Sequence, residues 1–305
     1  MIHKTSEALG FIPTKNSDGK PITVIGTDKI RDHFDDTCLA QALNSREAPG
    51  VTDLILNPDA HAGYGAPVGC VMVSPTHIYP GPVGVDIKCS MSLLQLDVPE
   101  EAIADKTIRR ALINAICERT PTGAGRGQRS AKKSRHVGID LGRKVITQGA
   151  TADVLEALGI PVEWAQRCED HAHFGHDGCV STLQERLDRM ENDDYHDRLP
   201  NKIMQLGSYG GGNHFGEAEI VEINATAEAR RAAEVFGLKN KHVAFLSHCG
   251  SRGLGHDLAS NQFKALEKHF QAWHLPYPSG DRQLVYAPLG SPEGNAYLDD
   301  MAMGS

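Results

Sequence analysis

Gly81-Pro-Val-Gly-Val-Asp-Ile-Lys-Cys-Ser90, running on into Met91-Ser-Leu-Leu-Gln-Leu96, decides how this chain is read. A glycine-rich approach sets Asp86 and Cys89 three residues apart, and an apolar, strand-like run follows at once. Carboxylate and thiolate both ligate divalent metals. A thiolate can also bridge two ions. Asp and Cys meet by chance in many strands, so the weight comes from their company. Asp59 and His61 stand before the pair, and Asn213, His214 and His248 after it, each set among glycines. Four such clusters look like a metal-centred site assembled from loop ends.

At 305 residues the chain can hold one large domain or two ordinary ones. With 40% hydrophobic and 23% charged residues it has the make-up of a soluble globular protein. Its 31 glycines cluster beside the polar motifs, where a backbone turns sharply or approaches a ligand. The net charge of −8 argues against a protein that coats nucleic acid, yet leaves room for a local positive track. Arg126 to His136 carries five Lys/Arg residues and is either such a track or a solvated loop. Seven cysteines, an odd number, do not form a disulfide framework. The start, Met1-Ile-His-Lys-Thr-Ser-Glu7, lacks the apolar core of a signal peptide, and no run approaches the roughly 18 apolar residues of a membrane span. The expectation is a cytoplasmic protein with reduced thiols and no membrane partner.

The first hundred residues read as β-rich. Short apolar or alternating segments at 22–25, 52–56, 69–73 and 92–98 are bounded by Gly, Pro and Asp. Residues 28–43 have helical character, with Thr27 or Asp28 as the cap. Helical spacing then dominates at 100–118, 152–158, 162–170 and 181–190. A strand is expected at 217–223, a helix at 226–236, a strand at 242–247, and a long helix from near Leu254 to about Trp273. These elements describe an α+β protein with mixed β-sheets flanked by helices and a helical insertion at about 100–200. We read residues 1–305 as a single domain. The last ten residues resemble the opening turns of a helix cut short, so a fragment of a longer chain is expected.

Each motif has a chemical and a plain structural reading. Asp59, in Asn57-Pro-Asp-Ala-His61, either orients a catalytic histidine or caps local amides. Cys89 is a metal ligand or a small buried hydrophobe. In Gly210-Gly-Gly-Asn-His-Phe-Gly-Glu217, glycines let the backbone approach a ligand. There His214 offers a ring nitrogen, and Asn213 and Glu217 are placed for a nucleotide or a metal-bound water. In Ser247-His-Cys-Gly-Ser-Arg252, His248 at a strand end suits a metal, and Arg252 near a helix start suits phosphate. Cys168 to Cys179 gathers two cysteines and three histidines, but its spacing matches no standard zinc finger.

Taken together, these motifs resemble the RtcB family of RNA ligases, in the family's order from Pro58 to His256. The tail Gly294-Asn-Ala-Tyr-Leu-Asp-Asp-Met301 is similar to the family's next helix. The resemblance implies an RtcB-like fold and GTP- and manganese-dependent joining of an RNA 3′-phosphate or 2′,3′-cyclic phosphate to a 5′-hydroxyl. It implies a histidine-guanylate intermediate, as in tRNA splicing and RNA repair, and an archease-type activating partner. Carried over by position, Cys89 would bridge two Mn²⁺ ions, with Asp86 and His214 on one and His248 on the other. Asn213, Glu217 and Arg252 would contact GTP and its phosphates, and Asp59 would orient the nucleophilic histidine. The family's nucleophile stands in a His-Gly-Ala-Gly-Arg type motif that these 305 residues do not contain. The chain alone is therefore expected not to guanylylate itself. Two other readings are a non-catalytic metal- and nucleotide-binding module and a dinuclear metal phosphoesterase.

Overall fold

The computed structural model describes residues 2–15, 18–123, 127, 136–168, 182–191 and 198–305. The chain forms two compact units, Met1–Ile87 with His173–Arg186 and Gly255–Ser305, and Lys88–Ala172 with Leu187–Leu254.

In the first unit, β1 (His3–Lys4), β2 (Leu9–Ile12) and β3 (Ile22–Ile25) lead to α1 (Asp28–Arg31), α2 (Asp36–Arg46), β4 (Asp53–His61) and β5 (Val68–Val73). The five strands form one sheet in sequence order, parallel only between β3 and β4. Alternation buries Ile22 and Val24 of β3 and Leu54 and Leu56 of β4 against Cys38 and Ala42 of α2. Burial also pushes the Cys38 thiol up to about 11, as expected of a small core hydrophobe. The helix expected over 28–43 is divided. Its first turns end at Asp32, and Asp35 restarts the chain by accepting a hydrogen bond from the Cys38 amide. β6 (His77–Ile78) and α3 (Pro80–Val83) follow, and Gly84 ends the helix with a positive φ of 87.

The second unit opens with β7 (Ser90–Pro99). The segment expected as a helix over 100–118 begins as a 3₁₀ turn at Glu100–Ile103. It restarts as α4 (Lys106–Arg119), where Asp105 caps the amides of Thr107 and Ile108. α5 (Ile139–Gln148) and α6 (Ala152–Leu158) follow, and a 3₁₀ helix, Val162–Arg167, occupies the described part of 162–170. α7 (Leu183–Met190) spans the division between the units, and α8 (Leu199–Ile203) completes the helical insertion. Gly142 of α5 lies against Ile203 of α8 so closely that any side chain would overlap it. β8 (Phe215–Ile220), α9 (Ala227–Phe236) and β9 (His242–Cys249) close the unit. β9 lies in the middle of an antiparallel sheet ordered β7-β9-β8. The chain re-enters the first unit along α10 (Arg252–Ala272), then forms β10 (Ala287–Pro288) and α11 (Pro292–Gly304). There Leu266 and Phe270 of α10 bury with Val285 and Ala287 in a second core. Among the described residues, no helix is long and apolar enough to cross a membrane.

Candidate metal centre

The period of two along β9 sorts the site. His248 pairs with Met91 on one side and Phe215 on the other, so these three share a face with Leu93, Leu246 and Glu217. Ser247 and Cys249 point to the opposite face, with Gly216 beside Ser247 on β8. Cys89 comes immediately before β7. Its Sγ lies 3.0 Å from His248 Nε2 and 3.7 Å from His214 Nε2. The two imidazole rings are 5.8 Å apart between centroids, and Phe215 meets the His248 ring edge-on at 5.4 Å. Three donors that are 125 and 159 residues apart in sequence therefore converge, because the sheet order puts β9 between β7 and β8.

His214 is oriented by its own loop. Its Nδ1 donates to the Tyr209 carbonyl at 2.7 Å, so Nδ1 carries the proton and Nε2 presents its lone pair toward Cys89. Tyr209 is held in turn, its amide donating to Pro121 O and its hydroxyl to Ser247 Oγ at 3.0 Å. The hydroxyl reaches Ser247 across Gly216, where a Cβ would strike the tyrosine. Nothing in the sequence singled out Tyr209, since its carbonyl is a backbone group.

The division between the two units falls within the loop before β7, between Ile87 and Lys88. Ile87 is buried and packs on Gly304 of α11. Lys88 then takes a left-handed conformation at φ 55, uncommon for a residue with a Cβ, and Cys89 emerges exposed. Asp86 is half-buried on the same short loop, with a carboxylate oxygen within 4.8 Å of Cys89 Sγ. Thiolate, imidazole and carboxylate are donors that divalent transition metals accept. Two ligands, each about 2.0–2.3 Å from a tetrahedral ion, stand about 3.5 Å apart, and the observed separations bracket that value. The donor set fits a metal.

The remaining residues singled out in the sequence occupy defined places. Asn213 and Glu217 are exposed, and Glu217 lies on the His248 face of β8. On the same strand the Glu219 carboxyl is held above the usual carboxylate range, first by burial and then by hydrogen bonding with Glu217. Arg252, the first residue of α10, also has a left-handed backbone, at φ 55. Its guanidinium rests on Gly210, where a Cβ would overlap it, so the glycine run admits an arginine as well as a turn. Asp59 lies in the first unit on the irregular part of β4, between the Leu56–Cys70 and His61–Val68 pairs. Gly69, at φ 79, leaves room for its carboxylate. His61 Nδ1 bonds back to the Asp59 carbonyl at 2.8 Å. The basic run at 126–136, apart from Gly127 and His136, and the Cys168–Cys179 cluster, apart from Cys168, lie outside the described residues.

Cys89, His214 and His248 thus define a candidate metal centre on the sheet of an α+β protein. Comparison with known proteins places the chain in a family. The sequence model of RtcB, described as tRNA-splicing ligase RtcB, matches residues 41–305. The tRNA-splicing ligase RtcB of Nanoarchaeum equitans is 30% identical over 309 residues, covering 99% of this chain and 58% of that protein. That of Thermococcus kodakarensis is 31% identical over 271 residues, or 87% of this chain and 51% of the relative. The RNA-splicing ligase RtcB of Mycobacterium tuberculosis is 32% identical over 267 residues, or 86% and 56%. The chain belongs to the RtcB family. It spans about half the length of the curated relatives it matches.

Proposed function

We propose that this chain provides the metal-binding part of an RNA ligase that joins 3′-phosphate or 2′,3′-cyclic phosphate ends to 5′-hydroxyl ends with GTP and Mn²⁺. The observation that carries the reading is the convergence of Cys89 Sγ with the Nε2 atoms of His214 and His248, in a chain of the RtcB family. Cys89 stands between the two histidines, and its thiolate could serve two ions. Asp86 and His214 would hold one ion, and His248 the other. Bound divalent ions would supply positive charge to neutralise a triphosphate and the charge developing at phosphorus. Thiolate is softer than the donors manganese usually takes, and sharing it between two ions moderates that mismatch.

The other roles belong to the chain's own groups. The Tyr209 carbonyl keeps the proton of His214 on Nδ1. Asn213, Glu217 and Arg252 bind GTP and its phosphates, with Arg252 seated on Gly210 to present its guanidinium. Asp59 is assigned to orient the histidine that accepts GMP. Equilibrium dialysis against Mn²⁺, paired with incubation in α-labelled GTP and denaturing gels, tests the scheme. Up to two Mn²⁺ per chain and no covalent label are expected. Manganese uptake unchanged by Cys89→Ala would overturn the metal assignment, and covalent label would locate the nucleophile within this chain.

A further inference from the structure

The loop that carries His214 is made of residues that do little to hold it. Gly210, Gly211 and Gly212 stand between Tyr209 and Asn213, and the first and third take positive φ values of 83 and 77. Glycine gives a backbone the most freedom, yet a metal ligand has to be held within about 0.5 Å of its working position. The restraint therefore comes from outside the three glycines. Part of it is the segment that follows α4, within the same unit. Pro121 O accepts from the Tyr209 amide at 3.0 Å, Gly123 N–H donates to Gly210 O at 2.6 Å, and Thr122 bridges Gly210 in parallel. The rest falls to the Tyr209 side chain, which is only 7% exposed.

The two ends of Tyr209 serve different histidines. Its carbonyl accepts from His214 Nδ1, and its hydroxyl donates to Ser247 Oγ, on the residue just before His248 in β9. One residue thus ties the loop bearing His214 to the strand bearing His248, across β8 at Gly216, where a side chain would block the way. Phenylalanine would fill the same space, so what the hydroxyl adds is the bond to Ser247. We propose that Tyr209 and Ser247 are positioning residues for the candidate metal centre. Their hydroxyl–hydroxyl bond fixes the Tyr209 carbonyl and, through it, the ring orientation and Nδ1–H tautomer of His214. It thereby holds the His214 ring where Cys89 faces both imidazoles. The consequence for metal binding rests on the metal centre proposed above, whereas the tautomer of His214 belongs to the metal-free protein.

The test pairs ¹⁵N-histidine NMR of the intact metal-free chain, which reads the tautomer of His214, with Co²⁺ titration, which reads affinity. The wild type is expected in the Nδ1–H form. Tyr209→Phe and Ser247→Ala are each expected to give a mixture with the Nε2–H form and to weaken Co²⁺ binding at least fivefold. Both remove the same bond, so the double variant is expected to bind no more weakly than the weaker single variant. Tyr79→Phe removes a tyrosine hydroxyl's bond to Pro49 O in the first unit, and is expected to change neither readout. Circular dichroism confirms that each variant is folded. An unchanged tautomer in both variants would overturn the proposal, and additive losses in the double variant would overturn the shared bond. A shifted tautomer with Co²⁺ affinity unchanged would overturn the positioning of the metal centre. A wild type that binds no Co²⁺ would count against the metal reading instead, and the tautomer would still test the hold of Tyr209 and Ser247 on His214.

Discussion

Cys89 works through its neighbours. Lys88 takes a left-handed backbone, and the residue after it brings its Sγ to 3.0 Å from His248 Nε2. A left-handed residue that carries a Cβ costs of order 1–3 kcal/mol. Lys88→Gly is therefore expected to raise the free energy of unfolding by up to about 1 kcal/mol, and Lys88→Val to lower it by at least as much, in urea titrations. Gly210→Ala is expected to act in the opposite sense to Lys88→Gly, because its Cβ would meet the Arg252 guanidinium at a φ of 83. It should destabilise by about 1 kcal/mol or more and displace Arg252. A drop in nucleotide affinity larger than the loss of stability would show that displacement, and unchanged affinity would contradict it. The types of residue at the site were legible in the sequence, but their distances were not. Glycine flanks made Cys89, His214 and His248 stand out, whereas the Tyr209 carbonyl is a backbone atom that residue type does not encode.

At the level of elements, local signals were read well where they were self-contained. Ile22–Ile25 and Ala152–Leu158 form as expected, and Thr226 caps α9 by accepting from the Ala229 amide. Periodicity failed where a cap overrode it. Asp35 and Asp105 each restart a helix inside a run whose spacing looked continuous, because a carboxylate that accepts backbone amides makes a new N-terminus more favourable than another turn. Asp35→Ala should cost about 1 kcal/mol, measured by thermal unfolding. Strand ends also moved. The strand expected at 217–223 lies at Phe215–Ile220, since pairing with β9 sets the register. Leu56 of β4 is fully buried, and Leu56→Ala is expected to cost about 2–5 kcal/mol. A loss under about 1 kcal/mol would mean that this sheet is not the core of its unit.

On the scale of the whole molecule, the mixed sheets and the helical insertion followed from composition and spacing, while the division into two compact units did not. Two of its boundaries fall inside helices α7 and α10. One buried cluster makes the first unit sensitive to pH. Asp300 of α11 pairs with Arg186 and accepts from Gln262, yet burial outweighs both and raises its carboxyl above the ordinary value of 3.8. The folded state therefore holds the proton more tightly than the unfolded chain. The stabilisation from that proton is complete below 3.8 and is lost as pH rises through the folded pKa. The unfolding free energy of the wild type relative to Asp300→Asn should fall over that window, and a flat difference would contradict burial as the dominant effect.

The metal centre unites these scales, and cobalt titration reads it most directly. Co²⁺ bound by a thiolate shows a charge-transfer band in the near ultraviolet. That band is expected on titrating the intact protein, with quenching by Mn²⁺, loss in Cys89→Ala and at least tenfold weaker binding in His248→Ala. A wild-type protein that binds Co²⁺ without the band, or a Cys89→Ala variant that keeps it, would show that Cys89 does not ligate the metal.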